Sequence, residues 1–163
     1  MANSKKPRKA YRPRPVSVNA AEWAVAGACC FTASMVADLI EPVRAAYDKL
    51  RQGQATVDDW NTLVQALNLG EALAVARIGA ELMPFLHAGM AALQAVAERR
   101  AAGRSSVCTG AELTTIYDAM SWYRSQLRIC TQAEYSRAIK SVKNWHMGGG
   151  SRRVAELIEK MAA

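Results

Sequence analysis

Residues 109–134 read TGAELTTIYDAMSWYRSQLRICTQAE. Thr109 and Glu112 stand three apart, as do Thr131 and Glu134. In such a pair the hydroxyl accepts from a backbone N–H of the first helical turn. The acid three residues on reaches back to the cap and suits the positive end of the helix dipole. Apolar positions at helical spacing follow both pairs. The stretch therefore predicts two helices, near 110–129 and 132–146, joined only through Cys130 and Thr131.

Working outward, the same signature recurs at Thr56 and Asp59 and at Asn19 and Glu22. It predicts further helices near 20–39, 42–52, 57–78 and 82–102. Pro42 suits the first turn of the second, where its missing N–H is harmless. Gly53 and Gly103 follow helix ends, as left-handed caps do. Gly79 and Pro84 predict a break between the third and fourth helices. No stretch alternates apolar and polar residues for the length of a strand, and there is no Asn-Gly or Asp-Gly hairpin signal. The expected fold is all-α, a compact bundle of five to seven helices. The last two helices suit an αα-hairpin better than a DNA-reading helix-turn-helix, whose first helix is shorter.

Length and composition agree. The chain has 163 residues, of which 51% are hydrophobic. That is enough for one domain with a sizeable core, and it excludes disorder throughout. No run reaches the roughly 18 apolar residues of a membrane span. The 4 cysteines are too few for a disulfide scaffold. Three parts are expected: a basic, Pro-rich arm over 1–18, a helical domain over 19–147, and a Gly-rich joint with a short amphipathic helix over 148–163. Pro7, Pro13 and Pro15 keep the arm from being helical, so it reads as disordered or polyproline-like. In the last part Val154, Leu157, Ile158 and Met161 share one face, which would dock on this domain or on another subunit.

The formal net charge of +7 is unevenly spread. Residues 1–15 hold Lys5, Lys6, Arg8, Lys9, Arg12 and Arg14 and no acid. Residues 16–98 hold 4 basic and 9 acidic side chains, and residues 99–163 hold 11 and 5. An acidic block thus lies between two basic ones. The basic blocks suit an outside polyanion; alternatively, the acidic block attracts the arm or a second copy.

A basic start followed by fifteen uncharged residues, Trp23 to Ala37, invites comparison with a secretory signal. Glu22 interrupts the would-be apolar core and the prolines are out of place. The expectation is a buried first helix and a cytoplasmic protein of a bacterial host.

Catalytic chemistry finds little support. Cys29 and Cys30 are adjacent, Cys108 and Cys130 are remote, and none has Cys-x-x-Cys spacing, so all four read as small buried hydrophobes. His87 has no metal-ligand partner at helical spacing, and His146 suits the negative end of its helix. Asn68 and Glu71 share a face and would form a hydrogen-bonded pair. There is no phosphate-cradling loop, and the Gly148–Gly150 run lacks the Lys-Ser/Thr of a P-loop. No enzyme, cofactor or metal is expected.

Basic and aromatic residues offer more. Arg124 and Arg128, and Arg137, Lys140 and Lys143, form local patches among Trp122, Tyr123, Tyr135 and Trp145. The arm, with Tyr11 among its six cations, is suited to phosphates and not to bases. Gly70, Ala74 and Gly79 allow close helix approach within the bundle or between copies, so a homo-oligomer is compatible with the sequence.

The segments Tyr11-Arg-Pro-Arg-Pro-Val16, Gly53-Gln-Ala-Thr56, Asn68-Leu-Gly-Glu-Ala-Leu73 and Thr109-Gly-Ala-Glu-Leu113 carry a resemblance. Over roughly residues 5–145 the chain resembles short helical proteins encoded by proteobacterial prophages, phages and plasmids. The Cys29–Ile40 region and the joint before Arg152 depart from their pattern. The resemblance implies a mobile-element origin and carries over no catalytic or binding residue. The expected function is a non-enzymatic accessory protein that contacts DNA or RNA electrostatically and without sequence preference. The alternative is an interaction module that inhibits or redirects a host enzyme or defence complex.

Overall fold

A computed structural model describes residues 20–105 and 107–147. Among them the chain forms six helices: α1 (Ala20–Ala28), α2 (Ala33–Arg51), α3 (Val57–Val75), α4 (Met83–Ala101), α5 (Gly110–Ile129) and α6 (Gln132–Met147). A single 3₁₀ turn, Ala80–Leu82, leads into α4. No strand occurs among the described residues; Cys30 and Thr131 form an isolated antiparallel bridge. The all-α bundle is as expected. The arm, the joint after Met147 and the amphipathic segment 152–161 lie outside the described residues.

Three of the four cap signatures form as their chemistry requires. The Thr56, Thr109 and Thr131 hydroxyls accept from the backbone N–H groups of Asp59, Glu112 and Glu134. Each carboxylate in turn accepts from its cap N–H at 2.8–2.9 Å. The fourth signature begins at Asn19, outside the described residues. Gly53, Gly79 and Gly103 all adopt positive φ, the left-handed conformation that glycine takes without strain. Arg77 does so as well, at φ 70°, in the turn after α3.

The first break in the chain differs from the sequence expectation. Residues 20–39 are not one helix, and no boundary falls at Pro42. The chain breaks at Cys29–Thr32, Thr32 caps α2 by accepting from the Met35 N–H at 3.3 Å, and Pro42 lies inside α2. Pro42 has no N–H for the Asp38 carbonyl, but both residues are exposed, where a missing helix bond costs less than it would in the core.

α3 is the hub. α2, α4, α5 and α6 all pack against it. Trp60, Leu63, Val64, Ala66, Leu67, Leu73 and Ala74 are its buried apolar side chains. They meet Val43 and Leu50 of α2, Leu86, Leu93 and Val96 of α4, and Ile116, Tyr123 and Leu127 of α5 in one core cluster. α4 and α5 form the closest pair. Gly89 makes that possible: a Cβ there would collide with the Cβ of Ala119 and lie 3.2 Å from Leu67 Cδ1. Gly70 and Ala74 are buried inside the bundle, so their small size serves internal packing.

α5 and α6 are not an αα-hairpin. Cys130 is extended, with ψ 150°, and turns the chain away from α5. α6 then packs on α3 and α1. Phe31 packs edge-on against Tyr135, with ring centroids 5.3 Å apart, and the Tyr123 and Tyr135 hydroxyls lie 3.4 Å apart.

Candidate nucleic-acid interface

α2 and α5 lie side by side and leave a groove of about 530 Å³ between them. Helical periodicity builds both walls. Ile40, Arg44, Tyr47, Asp48 and Arg51 recur along one face of α2, and Tyr117, Met120, Ser121 and Arg124 along one face of α5. The groove therefore holds three guanidinium groups, two phenol rings, an apolar floor and one carboxylate. Asp48 lies 3.7 Å from Arg51 and partly offsets it. Arg44 and Arg124 have no carboxylate within ion-pair distance among the described residues.

The two tyrosines differ in role. Tyr47 is half-buried, and its hydroxyl donates to the Leu113 carbonyl at 3.1 Å. Burial pushes its phenol above the usual range, with Arg51 working the other way. Tyr117 is 55% exposed. Its ring stands 5.7 Å from that of Tyr47 at an interplanar angle of 50°. One ring is fixed in the wall and the other is offered to solvent.

Of the residues expected to contact nucleic acid, Lys5, Lys6, Arg8, Lys9, Tyr11, Arg12 and Arg14 lie outside the described residues. Arg124, Arg128, Arg137, Lys140 and Lys143 are all exposed. The structure distributes them over two places. Arg124 lines the α2/α5 groove, with Arg128 one turn further along α5. Arg137 and Lys140 line a second groove, of about 720 Å³, between α1 and α6 beside Gly27 and Ala133. None of the five is in an ion pair among the described residues. By contrast, Lys49 and Arg99 serve the fold. Lys49 donates to Asp59 at 2.8 Å, and this bond with those from Thr56 holds the Asp59 carboxyl at about 2. Arg99 makes a two-pronged bond to Glu112 and ties the end of α4 to the start of α5.

Arg44, Arg51, Tyr47 and Tyr117 were not singled out by sequence. The signal was present, since 44, 47, 48 and 51 fall on one helical face. It was masked because the surrounding block sums to a negative charge. The described region has no net charge to offer: residues 20–147 carry twelve cationic and twelve anionic side chains. Local arrangement therefore matters more than the sum. At the groove three guanidinium groups face a single carboxylate, that of Asp48.

Other expectations need correction. Cys29 and Cys30 are exposed, because among the described residues α1 packs to any extent only on α6. Cys108 and Cys130 are buried as expected, and burial pushes both thiols up to about 11. Glu71 turns away from Asn68 and faces His87, with Oε1 and Nε2 3.2 Å apart. Tyr123 belongs to the core, and burial raises its phenol far above the usual range. No cluster of metal-binding side chains, and no helix long and apolar enough to cross a membrane, occurs among the described residues.

One buried group had no local signal at all. Gln126 is fully buried and donates from Nε2 to the Gly70 carbonyl at 3.0 Å and the Ile78 carbonyl at 2.9 Å. It pins the turn after α3 to α5. Its Oε1 accepts no hydrogen bond among the described residues, but it lies 3.1 Å from where a Cβ of Gly70 would be. A Gly70 C–H thus points at the amide oxygen, a weak contact that only glycine permits here.

The chain matches no protein-family model, no curated protein and no solved structure.

Proposed function

We propose that this chain is a non-enzymatic accessory protein of a phage or plasmid that contacts nucleic acid electrostatically. Contact is made through Lys5–Arg14 and the exposed cations of α5 and α6. The observation that carries this reading is that Arg124, Arg128, Arg137, Lys140 and Lys143 are exposed and form no ion pair among the described residues, Arg137 alone being partly offset by the nearby charge of Glu134. Ion-paired cations have already spent their charge, whereas these are available to phosphates. Binding then draws on counterion release and weakens steeply with salt. The neutral bundle makes the +6 arm the larger contributor.

The test is a salt titration of binding to labelled DNA and RNA, with the full chain and a chain starting at Val16. The expected result is tight binding at low salt that collapses with added salt and with loss of the arm, by similar factors for all sequences. Equal binding by the shortened chain removes the arm from the mechanism. No binding at low salt removes the reading.

A second reading, a module that binds and inhibits or redirects a host protein, is favoured by one observation. Phe85 of α4 and Trp122 of α5 are exposed by 48% and 37% and pack at a tilt of 39° with ring centroids 5.5 Å apart. Such aromatic pairs anchor protein interfaces. A host complex that survives nuclease and is lost on Phe85→Ala would support it.

A further inference from the structure

We infer that the α2/α5 groove holds an unpaired nucleotide of a single strand, with Tyr117 as the stacking surface and Arg44, Arg51 and Arg124 as phosphate partners. This rests on the nucleic-acid reading above and adds a site and a substrate class to it.

The cations on the open faces of α5 and α6 offer charge alone. The groove offers charge, a free aromatic face and a recess together. Tyr47, held by its bond to Leu113, packs against one side of Tyr117, with ring centroids 5.7 Å apart at 50°. The exposed side of Tyr117 is thus presented in a set orientation. Ile40 and Met120 give the recess an apolar floor. Stacking needs a base whose face is accessible. A duplex keeps its base faces against one another, so it can present only phosphates to this surface. A single strand presents both.

The arginine spacing fits a strand and not a lone anion. Arg44 precedes Tyr47 by three residues and Arg51 follows it by four, so they lie about 10 Å apart along the axis of α2. Arg124 faces them from α5. Tyr47 lies 5.7 Å from Tyr117, so charges on both sides of Tyr47 along α2 can hold phosphates on both sides of a nucleotide stacked on Tyr117. Asp48 lowers the local charge near Arg51, and this places the stronger phosphate contact at Arg44 and Arg124. A guanidinium suits phosphate through its planar fork, and it carries no sequence information.

The experiment uses the full chain and fluorescence anisotropy at one moderate salt concentration. The probes are short oligo(dT), oligo(U) and a mixed-sequence duplex of equal length. Single strands are expected to bind more tightly than the duplex. Tyr117→Ala is expected to weaken single-strand binding about tenfold, the order seen when one stacked base loses its aromatic partner. Duplex binding should stay within about twofold. Tyr117→Phe should keep the single-strand affinity, because stacking needs the ring and not the hydroxyl; the unchanged duplex binding of Tyr117→Ala is what separates lost stacking from lost structure. Arg44→Gln and Arg124→Gln should each lower the salt slope on single strands by about 0.7. The dT and U arms show which sugar is preferred. Unchanged single-strand affinity in Tyr117→Ala, or a duplex bound as well as single strands, overturns the groove assignment and leaves the general electrostatic reading standing. Absence of binding to all three probes overturns both.

Discussion

Glu112 is the residue through which the bundle should be most sensitive to acid. Its carboxylate accepts from both arms of the Arg99 guanidinium and from the Thr109 N–H and hydroxyl. These bonds hold it at about 2 against an ordinary value of 4.5, with Arg99 the largest cause. A difference of about 2.5 units corresponds to about 3 kcal/mol at 1.36 per unit. Partial exposure of both partners reduces that to about 2 kcal/mol. The folded form has the lower pKa, so this stability is complete above the unfolded value. It disappears as pH falls through about 4.5 toward 2. Glu112→Gln removes it at every pH. Urea unfolding at pH 7 should therefore show the variant less stable by about 2 kcal/mol, and near pH 2 the gap should close. Asp59, also held at about 2, and Glu134, lowered by its bonds from Thr131, keep their acid sensitivity in both proteins. A gap that stays constant between pH 7 and pH 2 would falsify the linkage and assign the loss to side-chain packing.

Gly89→Ala should destabilise the fold by about 2 kcal/mol, because the collision with Ala119 outweighs the helix propensity gained; the double variant with Ala119→Gly should recover part of the loss in thermal melts. Gln126→Leu frees the turn after α3 from α5, so amide exchange at Ile78 and Leu82 should accelerate while the α4–α5 pair stays protected; equal acceleration everywhere would mean that Gln126 is only filling space. In the native protein a thiol reagent should modify Cys29 and Cys30 at once and Cys108 and Cys130 only on unfolding; four fast thiols would contradict the burial described here.

What the sequence made legible was local chemistry. A cap depends on two residues three apart, so Thr56, Thr109 and Thr131 could be read directly, as could Gly53 and Gly103 as left-handed caps. The break before α2 could not, because Thr32 caps without an acid partner. Pro42 pointed to the wrong boundary because an exposed proline is tolerated within a long helix. The site was half legible. Arg124 stood out in a basic segment, but Arg44 and Arg51 were lost in the charge sum of an acidic one. Their meeting across two helices distant in sequence is a tertiary fact, and so is the turn at Cys130 that sends α6 away from α5. Gln126 gave no signal because its partners, Gly70 and Ile78, lie some fifty positions away.

Enclosure of α3 by four helices divides the chain into positions that can change alone and positions that cannot. A substitution at Leu63, Leu67 or Gly70 is felt by several neighbours at once and needs a matching change elsewhere. Arg44, Arg51, Tyr117 and Arg124 are outside that enclosure, on helices whose opposite faces already hold the core. Their charge and size are free to drift without reworking the scaffold. A lineage carrying this bundle can therefore exchange one ligand for another by surface substitutions alone, while the buried helix keeps the same partners.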